Sequence, residues 1–190
     1  MFEVPIGISA RHIHLSPHHI EQIFGLGYNL RSKKILSQPG QYAAEETVKV
    51  VGPKGRFENV RILGPSRGNT QLEISRTDAY MLGIDPPLRA SGDLDGTPGI
   101  TVAGPKAEIH LDRGVIIAAR HIHLHHDEAA MMNIRDQQIV NVKLSGQRGG
   151  IFHHVLCRVS SNFRLDMHID TDEANAFGIQ NGDKGTIIVI

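Results

Sequence analysis

Short β-branched runs closed by glycine turns recur along the chain. They read as strands in "ETVKVVGP", "VRILGP", "GITVAGP", "GVIIAA", "QIVNVKL", "FHHVLCRVS" and the terminal "GTIIVI". Gly-Pro steps at Gly52, Gly64 and Gly104 end three of them, and Asn181-Gly182 marks a turn before the last. Between the strands lies a second, four-fold pattern: "HLSPHHIEQIFG", "EISRTDAYMLG", "HLHHDEAAMMN" and "HIDTDEANAFG". Starting at His14, Glu73, His123 and His168, a small or apolar residue follows six positions on, at Ile20, Ala79, Ala129 and Ala174. Gly83, Asn133 and Gly178 then stand ten positions after the start, with Gly25 one residue late. Each copy reads as a strand end, a polar helix start with Ser16, Thr77 or Thr171 as N-cap or first-turn residue, a short helix, and a left-handed cap. The pattern predicts a mainly β protein with short helices, built as two β-barrel domains capped by helices and related by a pseudo-two-fold.

The strand ends carry the chemistry. Arg-His-Ile-His occurs at Arg11–His14 and again at Arg120–His123. Residues two apart in a strand share a face, so His12 and His14 form one preformed pair of imidazoles and His121 and His123 a second. Zinc takes three or four N and O ligands. A strand pair supplies two, and the corresponding beats of the other repeats hold Glu73 and His168. The expected sites are therefore His12, His14, Glu73 and His121, His123, His168. Nitrogen-rich ligation favours zinc.

The remaining histidines read as solvated. His18-His19, His125-His126 and His153-His154 are doublets that would straddle a strand, and His110 stands alone. Cys157 lies in an apolar run and reads as a buried thiol. Neither a Ser-His-Asp elbow nor a phosphate-loop spacing is present. Arg11 and Arg120 precede the histidine pairs, and Arg67 lies six residues before Glu73. A guanidinium beside a metal pair suits a phosphate or carboxylate ligand, because its planar fork holds two oxygens.

Composition narrows the class. The 190 residues are 40% hydrophobic, enough for a buried core. Twenty Lys and Arg balance twenty Asp and Glu without a basic run, which argues against nucleic acid and against a membrane surface. No signal segment or membrane-length apolar run occurs, and Cys157 is the single cysteine, so the expected setting is the reducing cytoplasm. Twelve histidines with no tryptophan is an excess of the side chain best suited to transition metals.

Taken together, "VPIGISARHIHLS", "LSQPGQYAAEETV", "VGPKG", "ENVRILGPSR", "NTQLEISRTDAY", "SGDL", "PGITVAGPK", "ARHIHL" and "MHIDTDEANAFG" resemble the PduL-type phosphotransacylases, the phosphate propanoyltransferases, almost end to end. The resemblance implies transfer of a short acyl group, propanoyl or acetyl, between coenzyme A and inorganic phosphate, in the context of propanediol degradation. It implies two zinc ions per chain on the six ligands already named, and a catalytic role for Arg67. It further implies that residues 1–10 join 119–190 in one barrel while 11–118 form the other. The expected assembly is a homo-oligomer, a dimer. Family members housed in bacterial microcompartments carry an amphipathic N-terminal extension. This chain starts immediately before its first strand, so a cytoplasmic location is expected rather than encapsulation. The rival readings are a dinuclear metallohydrolase, in which hydroxide replaces phosphate as nucleophile, and a non-catalytic metal-binding protein. Arg67 weighs against the hydrolase, being better suited to retaining phosphate.

Overall fold

The computed structural model describes residues 2–189. β1 (Phe2–Ser9) and β2 (His12–His14) lead into α1 (Pro17–Phe24). Next come β3 (Ser32–Ile35), β4 (Tyr42–Val51), β5 (Arg56–Gly64), β6 (Gln71–Glu73) and α2 (Arg76–Leu82). β7 (Leu88–Arg89), β8 (Ile100–Ala103), β9 (Glu108–Leu111) and β10 (Val115–Ala118) follow. The remainder is β11 (His121–Leu124), α3 (His126–Met132), β12 (Ile139–Leu144), β13 (Gly150–Val159), β14 (Asp166–Asp170), α4 (Thr171–Phe177) and β15 (Lys184–Ile188). Alternation dictates the faces: β12 buries Val140, Val142 and Leu144 and turns Ile139 and Lys143 outward.

The chain divides into two compact units. One comprises Met1–Ala10, Ser37–Pro39 and Ala119–Ile190. Its strands close into a barrel in the order β1-β14-β11-β13-β12-β15, with β15 returning to β1. Val4, Ile6, Ile122, Leu124, Val140, Val155, Cys157 and Met167 fill it. Gln38, at 1% exposure, is held there like a strand residue. Its Nε2 donates to the Arg164 carbonyl at 2.9 Å and its Oε1 accepts from the Arg164 amide at 3.2 Å.

The other unit comprises Arg11–Leu36 and Gly40–Ala118. Its sheet runs β7-β10-β6-β2-β5-β4-β8-β9, with β3 beside β4. A closed barrel was expected here, but the sheet is an open, curled half-barrel. β7 offers only two residues and β9 pairs only with β8, so the two edges do not meet. Ile13, Leu15, Ile23, Val48, Val60, Ile62, Leu72 and Leu82 form its separate core.

All four strand-to-helix repeats are present. The residue two positions after each starting point caps the helix: Ser16, Ser75, His125 and Asp170. Thr77 and Thr171 lie inside the first turn instead. Ile20, Ala79, Ala129 and Ala174 are the buried contacts, and helices of seven or eight residues persist only through such packing. Gly83, Asn133 and Gly178 take the left-handed conformation, whereas Gly25 ends its helix at φ 115°, ψ 159°. The late glycine in the first copy is thus a different kind of stop.

Candidate functional site

β2 lies between β5, to which it is parallel, and β6, to which it is antiparallel. The register sets His12 directly opposite Glu73 and His14 opposite Gln71. In the barrel unit β11 lies between parallel β13 and antiparallel β14, and His121 stands opposite His168 with His123 opposite Asp166. Directly opposed residues have Cβ atoms roughly 5 Å apart, and the next residue but one on the same strand points the same way. Each His-x-His pair therefore meets its third member by ladder geometry alone.

The side chains converge accordingly. His12, His14 and Glu73 form one group and His121, His123 and His168 another, and within each group the ligand atoms lie within 4.8 Å of one another. His12 Nε2 is 3.6 Å from Glu73 Oε2, and His14 Nε2 is 4.0 Å from Glu73 Oε1. His121 Nε2 and His123 Nε2 approach to 3.1 Å. Tetrahedral zinc with ligands at roughly 2.0–2.1 Å spaces them roughly 3.3–3.5 Å apart, so these separations bracket what the ion requires.

Protonation also fits a cation. Burial foremost, then the neighbouring His12 and Arg67, pushes the His14 pKa down to about 3, so the ring is neutral. Burial alone would raise the Glu73 carboxyl. His12, followed by His14 and Arg67, outweighs it and holds the group well below the usual carboxylate range. His121 Nδ1 lies 2.8 Å from the Ala119 carbonyl, which can only accept, so Nδ1 carries the proton and Nε2 presents a lone pair. Asp166 Oδ2 lies 3.1 Å from His168 Nε2, a contact that orients the ring.

Arg67 reaches this chemistry through Ser91. Its Nη1 donates to Ser91 Oγ at 3.1 Å, and the Ser91 hydroxyl donates to Glu73 Oε1 at 3.0 Å. Gln71 Nε2 also contacts Glu73 Oε1 and Ser91 Oγ, and Gln71 Oε1 accepts from the Gly92 amide. Arg11 is engaged with Asp78, and Arg120 with Glu173 and the His153 carbonyl.

The other histidines sort by position rather than by doublet. Of the three doublets only His153-His154 lies in a strand, both residues exposed, and His110 lies on β9. His18 and His19 begin α1, where His19 Nδ1 bonds Thr70 Oγ1 at 2.7 Å, and His125 caps α3 by accepting from the Asp127 amide. Gln71, Ser91, Asp166 and Phe163, whose ring centroid is 4.3 Å from that of His123, are site neighbours that sequence reasoning missed. Gln71 and Asp166 each sit two residues before the third member of a triad and so share its strand face, a signal present in the sequence. Ser91 belongs to an irregular loop and gives no such signal.

Among the described residues no helix is long and apolar enough to cross a membrane. Residues 5–180 match the phosphate propanoyltransferase family. A phosphate propanoyltransferase of Thermotoga maritima is 55% identical over 184 residues, spanning 96% of this chain and 88% of the relative. The Salmonella typhimurium protein of that name is 54% identical over 94% of this chain and 85% of its own. That of Lachnoclostridium phytofermentans is 53% identical over 98% and 88%. With both His-x-His ladders inside the matched span, the chain belongs to the phosphate propanoyltransferase family, which is a family of acyltransferases.

Proposed function

We propose that this chain interconverts a short-chain acyl-CoA, propanoyl-CoA or acetyl-CoA, and inorganic phosphate with the acyl phosphate and free coenzyme A. Two zinc ions would be held by His12, His14 and Glu73 and by His121, His123 and His168. The observation that carries the reading is the identical ladder register of the two triads in a chain about half identical to phosphate propanoyltransferases. Bound zinc supplies positive charge and Lewis acidity for an anionic nucleophile and a developing oxyanion.

A phosphate oxygen forms the new bond to the thioester carbonyl carbon, the C–S bond breaks, and coenzyme A departs as thiolate. No electrons change hands and no covalent acyl-enzyme is needed. Arg67 is the catalytic residue of this proposal, its fork neutralising phosphate oxygens as charge accumulates. Ser91 and Gln71 hold Arg67 and Glu73 in a common network, which limits reorganisation during the reaction. Buried, free Cys157 is consistent with a reducing cytoplasm.

The test is turnover of acetyl-, propanoyl- and butanoyl-CoA with and without phosphate, on protein of measured metal content. Acyl phosphate, trapped as its hydroxamate, is expected only with phosphate present. Thioester loss that proceeds equally without phosphate would mean hydrolysis instead.

A further inference from the structure

The residue ahead of each His-x-His pair is an arginine, and the two arginines make corresponding contacts within their own units. Arg11 Nε and Nη2 donate to Asp78 Oδ1 at 3.0 and 2.6 Å, and its guanidinium lies 4.2 Å from the centre of the Phe57 ring. Arg120 Nη1 donates to Glu173 Oε1 at 2.8 Å, with its guanidinium 5.0 Å from the centre of the Phe152 ring. Phe57 stands four residues before Arg61, the ladder partner of His12. Phe152 stands four residues before Leu156, the partner of His121.

The carboxylates are equivalent as well. Asp78 and Glu173 are the third residues of α2 and α4, the helices that follow Glu73 and His168. Each divides its two oxygens in one way. Asp78 gives Oδ1 to Arg11 and Oδ2 to the Ser75 amide, while Glu173 gives Oε1 to Arg120 and Oε2 to the Asp170 amide. Each carboxylate thus joins the start of a His-x-His strand to a point two residues beyond the third ligand. α3 supplies the contrast. Its capping-box carboxylate, Glu128, accepts from the His125 and Leu165 amides, and no arginine bond to it is found among the described residues. The arginine accompanies the helices that follow third ligands.

We infer that Arg11–Asp78 and Arg120–Glu173 are positioning pairs, one for each metal triad, which fix the separation between the His-x-His strand and the third ligand. β2 has only three residues, too short a ladder to hold this spacing rigidly by itself. A planar guanidinium stacked on phenylalanine and bound to a carboxylate fixes direction as well as distance. The inference rests on the proposal that the triads hold metal.

The test is cobalt(II) titration of metal-stripped protein, read by d–d absorption and by chelator competition, alongside the Tm of each apoprotein. Wild type is expected to take up two equivalents. Arg120→Lys and Glu173→Gln should each weaken one of them about 10- to 100-fold, the loss typical when a group supporting a ligand is removed, and leave the other intact. Arg11→Lys and Asp78→Asn should weaken the complementary equivalent. Within one pair the double variant should lose little more than either single, because both break the same link. Should an Arg→Lys variant fail to fold, the near-isosteric Asp78→Asn and Glu173→Gln decide the matter. Two equivalents at wild-type affinity in folded variants, with only a lower apo Tm, would reduce the pairs to fold stabilisers and leave the metal proposal standing. No cobalt uptake by wild type would remove both.

Discussion

Gly7 pairs with His168 across the parallel β1–β14 ladder, and a Cβ built on Gly7 would lie 3.2 Å from the His168 ring and 3.4 Å from Asp166 Oδ2. The missing side chain makes room for the Asp166–His168 contact. Gly7→Ala should displace the ring by a few tenths of an ångström and weaken one metal equivalent modestly. Gly7→Val, with two further methyls, should weaken it about tenfold or more. Cobalt titration of both variants checks the order, and a valine variant with wild-type affinity would contradict it.

The six proposed ligands differ sharply from the exposed histidines. His14→Ala and His123→Ala should each abolish phosphate-dependent turnover and one equivalent of bound zinc, while His153→Ala leaves both unchanged. Elemental analysis beside the hydroxamate assay reads the outcome. Equal effects in all three would overturn the assignment.

Arg67→Lys keeps the charge but loses the fork, so kcat/KM should fall about a hundredfold, in line with loss of one transition-state donor. Zinc content should stay constant, because Arg67 is not a ligand. Ser91→Ala, which removes the bridge from Arg67 to Glu73, should produce a smaller fall. Loss of zinc together with activity in Arg67→Lys would recast it as support for the site.

Gln38 offers a stability test. Gln38→Ala leaves both the carbonyl and the amide of Arg164 without the side-chain partner each has now. The expected cost is about 1–3 kcal/mol, read by urea unfolding.

The Cys157 thiol is pushed up to about 12, chiefly by burial and secondarily by the Asp136 carboxylate. The folded protein therefore keeps a proton that the unfolded chain releases near the ordinary thiol value of about 8.5. Stability from this group is full below that value and declines as pH rises towards 12. Cys157→Ala should flatten the alkaline slope, and the native thiol should resist alkylation at pH 8.

The convergence of the two side-chain triads was legible because strand alternation converts a two-residue spacing directly into a shared face. The repeat then supplied the third members, since His12–Glu73 and His121–His168 occupy one register. The partners of Arg11 and Arg120 were not legible. Adjacency to a histidine pair says that a guanidinium is near the site but not which oxygen it meets, and that oxygen belongs to a helix more than fifty residues downstream. Ser91 escaped for a related reason, lying in a loop that has no period. Closure of a sheet depends on whether its two edge strands meet, and the two-residue β7 carries too little pattern to show that they do not.

The first strand imposes an order on assembly. Phe2 pairs with Ile187, and β1 runs between β14 and β15, so the earliest strand synthesised waits for nearly the whole chain before its edges are covered. The open sheet, drawn from a largely continuous stretch ending at Ala118, needs no such wait. Long-range pairing of this kind is slow, because the loop must close before the contacts compensate for it. His168 lies on β14 beside β1 and so shares that delay. The His121, His123 and His168 group is accordingly completed later than the His12, His14 and Glu73 group, whose strands need no contact with β1.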